Sequence, residues 1–185
     1  MMSLLEATRA QQTATTERTS SAQQPVSENR TAGKALAVLR ILLGSIFLWA
    51  FLDKMFGLGF ATTPEASVLA GASPTAGFLG SLEGTFAPMF HAMAGNVLVD
   101  FGFMFGMLGL GVALILGIGL RVAAVGGVIM MGMLWLTSLP LMNNPIIDDH
   151  IIYAAAMVAL AATHAGNTWG LGSVLARNNS PKWIR

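Results

Sequence analysis

The residues best placed to do chemistry sit in one short block, Asn143–Tyr153, which reads NNPIIDDHIIY. Asp148, Asp149 and His150 are adjacent, and Tyr153 follows four residues after Asp149 and three after His150. At helical spacing one face carries Asp149, His150 and Tyr153 together. An imidazole beside carboxylates can exchange a proton, and a phenol can donate a hydrogen bond. Two further acidic positions stand at the edges of apolar runs: Asp53, followed by Lys54, and Asp100. Asp53, Lys54, Asp100, Asp148, Asp149, His150 and Tyr153 form the candidate ligand-binding set, with His91 able to join them from a loop. Two readings stand side by side. In one, these groups converge into a small polar pocket for a quinone head group or another small polar molecule, because ionisable groups at membrane depth are costly and mark function. In the other, they mark an interface, cap helices, complement a helix dipole and pair Asp53 or Asp100 with Lys54.

Other chemistries find little footing. His150 and His164 lie fourteen residues apart, about 21 Å along a helix, a spacing that paired haems use. Each haem needs a second axial ligand, however, and His91 is the one histidine left. No bound haem is expected, and the purified protein should be colourless. No HxxxH or ExxH spacing points to a metal. The absence of cysteine excludes disulfides, Fe–S ligation and thiol nucleophiles. No phosphate-binding glycine loop and no nucleophile–base motif is present, so no catalytic residue is assigned.

The elements that must position these groups are apolar. The chain of 185 residues is 54% hydrophobic and 10% charged, against about 25% charged in soluble domains. Its mean hydropathy is +0.65. The net charge of +1 gives no reason to expect a nucleic-acid partner. Four runs suit an integral membrane four-helix bundle, all-α, with the bilayer as solvent: about 35–55, 97–120, 122–139 and 145–165. Residues 1–33 are polar and read as a disordered tail, and 177–185 as a basic one. In the fourth run Asn144 is the expected N-cap and Pro145 the first helical residue. Arg40, about one turn into the first run, is expected to snorkel to the near interface. Gly102–Gly106 (GxxxG) and Ala123–Gly127 should let helix backbones approach closely, within the bundle or in a homo-oligomer. The loop 57–95 is too apolar for a free linker and too rich in Gly and Pro to span. Thr63-Pro64 and Ser73-Pro74 look like helix starts, so short interfacial helices are expected there. Four spans leave both termini on one side, with every Lys and Arg except Lys54. The positive-inside rule then makes both termini cytoplasmic and faces the long loop outward.

Several stretches together resemble the DoxX family of small bacterial membrane proteins: LRILLGSIFLWAFLDKMF, GLGVALILGIGLRVAAVGG, and above all NNPIIDDHIIYA followed by AGNTWGLG. The similarity covers about Leu36 to Leu175. It implies a four-helix bundle in a bacterial plasma membrane, associated with other membrane redox subunits of a respiratory or detoxifying complex. It further implies an accessory, quinone-linked role. The related DoxD proteins imply the alternative, the membrane subunit of a thiosulfate:quinone oxidoreductase. The resemblance supplies no catalytic motif.

Overall fold

The computed structural model describes residues 25–178 and 181. Most of the expected polar tail, with Arg9 and Arg18, and the far end of the basic tail, with Lys182, Trp183 and Arg185, lie outside the described residues. The chain forms two compact units, one ending at Ala35 and one beginning at Leu36. The candidate site belongs to the second. Among the described residues the secondary structure is entirely helical.

Helix α1 spans Pro25–Phe56, so it starts upstream of the boundary expected at residue 34. Proline suits a first helical turn, and no second proline interrupts the stretch before Phe56. The loop that follows holds single turns of 3-10 helix at Pro64–Ala66 and Val68–Ala70, then two short helices, α2 (Ala76–Gly80) and α3 (Ala87–His91). Thr63-Pro64 does open a turn of helix. Ser73-Pro74 does not: the Ser73 hydroxyl accepts from the backbone N–H of Thr75 and of Ala76, and α2 begins only after Thr75. Helix α4 (Val97–Leu116) is capped by Asn96, whose side chain accepts from Leu98 N–H. It ends at Gly117 (φ 69°), and α5 (Leu120–Thr137) starts after Gly119 (φ 59°). Two left-handed residues flanking Ile118 make this reversal, which glycine adopts without steric cost.

Three stretches, Arg30–Phe56, Val97–Leu116 and Leu120–Thr137, are long and apolar enough to cross a membrane. The fourth, α6, covers Asp149–Ala162, fourteen residues, fewer than the ~20 a spanning helix usually needs. It starts later than the residue types of Asn144-Pro145 suggest. The Asn144 side chain accepts from Ile146 and Ile147 N–H and so folds a turn of its own. Asp148, extended at φ −128°, is the N-cap and accepts from Ile151 N–H. The turn is held against α5 by the Trp135 indole N–H, which donates to Ile146 C=O at 2.9 Å. At the far end His164 (φ 52°) breaks the helix. A turn of 3-10 helix (Ala165–Asn167) and α7 (Gly172–Arg177) follow.

The core joins Leu43 and Phe47 of α1, Leu110 and Leu114 of α4, Ala124 and Met131 of α5, and Met157 and Leu160 of α6. The outward faces are equally apolar: Phe105, Val125 and Ile129 are each about two-thirds exposed. Contiguous apolar surface of this kind suits lipid rather than water. Lipid removes the hydrophobic drive for helix association, so packing at small residues must supply it. A Cβ added at Gly44 would stand 2.9 Å from Leu114 Cβ, and one at Gly111 2.8 Å from the Leu48 backbone nitrogen. Helices α1 and α4 therefore meet nearly backbone to backbone at these two glycines. On α5, Gly127 of the expected pair is filled by Met157 of α6. Of the two uses expected for the GxxxG pair, packing within the bundle is not seen among the described residues. Gly102 has nothing within 4 Å, and Gly106 meets only the tip of Met130. These two glycines bring no helix backbones together within this chain.

Candidate functional site

The Asp148 N-cap turns back over the first turn of α6, and that geometry builds the acidic–imidazole cluster. His150 Nδ1 lies 2.7 Å from Asp148 Oδ2 and 3.5 Å from Asp149 Oδ1. Asp148 thus serves the Ile151 N–H with one oxygen and His150 with the other. Asp149 is two-thirds exposed, and Tyr153 packs against the hydrophobic core. The expected face of Asp149, His150 and Tyr153 is therefore split between surface and interior. Donor atoms of Asp148, Asp149 and His150 fall within 4.8 Å of one another. Ligand rules built on i, i+4 histidines overlook such a group, because capping rather than helical spacing creates it.

Burial raises the Asp148 carboxyl pKa, but the hydrogen bond with His150 and the Ile151 N–H outweigh it and hold the group below its ordinary value of 3.8. A group with a depressed folded-state pKa stabilises fully above its unfolded value and loses that contribution as pH falls through the folded value. Acid titration of helix content in detergent should therefore show a loss beginning below about pH 4. Asp148→Asn keeps the cap but not the charge, and should flatten that acid dependence. Asp148→Ala should cost about 1 kcal/mol at neutral pH through the lost cap. An unchanged acid limb in Asp148→Asn would assign it to another carboxylate.

The remaining members of the set are engaged locally. Asp53 is 2% exposed and accepts from Phe60 N–H (3.3 Å) and Ala61 N–H (2.9 Å). It fastens the start of the long loop to the end of α1. The Lys54 ammonium lies 5.9 Å from the Phe103 ring centroid, a cation–π distance. Asp100, in the first turn of α4, accepts from the Ser73 hydroxyl at 2.9 Å and the Thr75 hydroxyl at 2.5 Å, both on Oδ1. Among the described residues Lys54 makes no ion pair within 4 Å with Asp53 or Asp100, although the Asp53 charge still acts on it. The seven groups fall into local constellations: the loop clasp at Asp53 with Lys54 beside it near the Phe103 ring, Asp100 with its hydroxyls, the Asp148–Asp149–His150 cluster, and Tyr153 against the core. His91 donates to or accepts from none of them; its imidazole Nε2 lies 2.9 Å from Leu82 C=O.

Asp100 lines a sizeable cavity. About 410 Å³ lies between α1, the 68–74 loop and α4, walled by Phe51, Met55, Val68, Phe101 and Phe105. This is within the usual range for small-molecule sites, which are mostly apolar with few polar groups. With Oδ1 taken by two hydroxyls, Asp100 Oδ2 has no hydrogen-bond partner among the described residues. Ser73 and Thr75 were not part of the sequence-based set. The sign of them in the sequence is a small polar group, Ser73-Pro74-Thr75, inside an otherwise apolar loop.

The other end of α4 carries a second buried polar construction, built on Arg40. The side chain does not snorkel: it is fully buried. Its Nη1 donates to Leu114 C=O and, at 2.8 Å, to Ile115 C=O. Its Nη2 donates to Thr168 C=O (3.3 Å) and Trp169 C=O (2.9 Å). Last-turn carbonyls have no intrahelical partner, and the AGNTWGLG segment folds back to share the same donor. That close fold requires glycine: a Cβ on Gly166 would stand 2.3 Å from Gly117 O. Leu171 N–H donates to Leu116 C=O at 2.9 Å and locks the return.

No family model, curated protein or solved structure matches this chain.

Proposed function

We propose that this chain is a DoxX-like accessory subunit of a redox assembly in the bacterial plasma membrane, linked to the quinone pool through the Asp100 cavity. The observation that carries the reading is an apolar, aromatic-walled space with a single oriented carboxylate whose Oδ2 is free to accept. A quinol hydroxyl supplies the donor that this oxygen lacks, and the phenylalanines suit its ring and apolar tail. The oxidised quinone offers only carbonyl acceptors, so the site favours the reduced form. Three apolar helices support the bilayer setting. The Lys and Arg distribution supports cytoplasmic termini, and α6 completes a four-helix bundle.

Titration of a short-chain quinol into the purified protein, followed by tryptophan fluorescence, tests the ligand. Asp100→Asn keeps an acceptor for Ser73 and Thr75 but loses the charge. It should weaken binding by about tenfold or more, the effect of a hydrogen bond to a charged group. Equal affinity of the two proteins would remove Asp100 from the site. Copurification with cytochrome subunits in mild detergent tests the assembly. Thiosulfate-dependent quinone reduction by the chain alone would replace the accessory reading with an enzymatic one.

A further inference from the structure

We propose that the groove between α5 and α6 is a binding site for an anionic phospholipid, with Arg121 and His164 as its phosphate-holding pair. The two residues stand forty-three positions apart, yet Arg121 Nη2 lies 3.3 Å from His164 Nε2. Arg121 belongs to the first turn of α5, and His164 follows the last turn of α6. The backbone holds the histidine in place: its N–H donates to Ala161 C=O and its C=O accepts from Asn167 N–H. Two basic side chains thus meet at one mouth of a groove of about 500 Å³, and no carboxylate lines it. With one imidazole nitrogen accepting from Arg121, the pair holds surplus donors and lacks an anion. The planar guanidinium fork matches phosphate oxygens, and with Nε2 accepting from Arg121 the imidazole presents its Nδ1–H as a third donor.

What lies behind the mouth selects a lipid over a soluble anion. The floor runs away from the pair along both helices, through Val125, Val128 and Ile129 on α5 and Val158 and Ala161 on α6. Val125 and Ile129 are about two-thirds exposed and Val158 half exposed. The i, i+4 row on α5 gives an apolar strip that continues from the charged mouth into membrane depth, where an acyl chain would lie. Basic pockets between membrane helices take acidic head groups by the same combination of charge and apolar support. A free phosphate would use the mouth and leave the strip empty. This site lies apart from the Asp100 cavity, and its occupancy does not depend on the quinol reading.

Native mass spectrometry of the full chain, released from detergent micelles doped with equal phosphatidylglycerol and phosphatidylcholine, gives the test. The expected result is retention of phosphatidylglycerol over phosphatidylcholine by about tenfold, the worth of one hydrogen bond to a charged group. Arg121→Gln should abolish the preference. His164→Gln, which keeps a donor, should reduce it in part. Val125→Trp, which fills the strip without touching a charge, should lower retention of phosphatidylglycerol while thermal unfolding stays near that of the parent. Equal retention of the two lipids by the parent protein would overturn the proposal. So would an undiminished preference in a folded Arg121→Gln protein. Displacement of phosphatidylglycerol by millimolar inorganic phosphate, with Val125→Trp unaffected, would identify a soluble-anion site instead and overturn the lipid assignment.

Discussion

Replacing Arg40 by Met should destabilise the protein by about 3–5 kcal/mol, the range for removing one partner from a buried charged network. The reason is the fate of the acceptors. Buried ion pairs often exchange for apolar residues at little cost, because both charges leave together. At Arg40 the partners are four backbone carbonyls, of Leu114, Ile115, Thr168 and Trp169, and they stay behind. Each unsatisfied buried acceptor costs about 1–3 kcal/mol. The site also lies at the C-terminal end of α4, where a helix favours positive charge. Arg40→Lys retains the charge but not the two-pronged reach, so it should fall between parent and Met variant. Thermal unfolding in detergent, read by circular dichroism, gives the order. A Met variant as stable as the parent would mean that water reaches those carbonyls.

Gly111→Ala should destabilise by about 1–3 kcal/mol, the usual cost of overpacking, and Gly111→Leu by more. The added Cβ would stand 2.8–3.0 Å from the backbone nitrogen, Cα and Cβ of Leu48, so α1 and α4 must separate. Gly102→Ala, nine residues earlier on the same helix, is the contrasting case. Its Cβ meets nothing within 4 Å, and the gain in helix propensity is worth up to about 1 kcal/mol. The two substitutions should therefore move the unfolding temperature in opposite directions. The same direction for both would place the α1–α4 contact elsewhere.

These residues also show what sequence patterns reveal and what they hide. Uninterrupted apolar runs mark α1, α4 and α5, but apolarity alone carries the second run through to residue 120, whereas the helix ends at Leu116 because Gly117 and Gly119 take positive φ on either side of Ile118. Glycine spacing could not say which helix a glycine faces. Gly102–Gly106 has the motif, yet Gly44 and Gly111, on different helices, make the close contact. Arg40 looked like an interface residue because hydropathy counts a charge and not its acceptors. Those acceptors come from Leu114–Ile115 and Thr168–Trp169, far along the chain. Asn144 and Asp148 are both residue types that cap helices, and α6 starts at Asp148, whose side chain reaches the Ile151 N–H. The candidate set was recognised by residue type, but its grouping was not. Asp53 and Asp100 are each claimed by loop donors, Phe60–Ala61 and Ser73–Thr75, that no helical periodicity connects to them.

The shortness of α6 bears on the membrane itself. Fourteen residues rise about 21 Å, against a hydrocarbon layer of about 30 Å. On the four-helix reading, lipids beside α6 meet an apolar stretch roughly 9 Å shorter than lipids beside α4, and Ile146 and Ile147 of the preceding turn make up part of the difference. The bilayer there must thin, or its chains tilt, at fractions of a kcal/mol for each ångström of mismatch. That deformation is relieved when a second protein covers the α6 side or when the surrounding membrane is thinner. On that reading, helix length alone gives this protein a preference about where in the membrane it resides and which of its sides it presents to a neighbour.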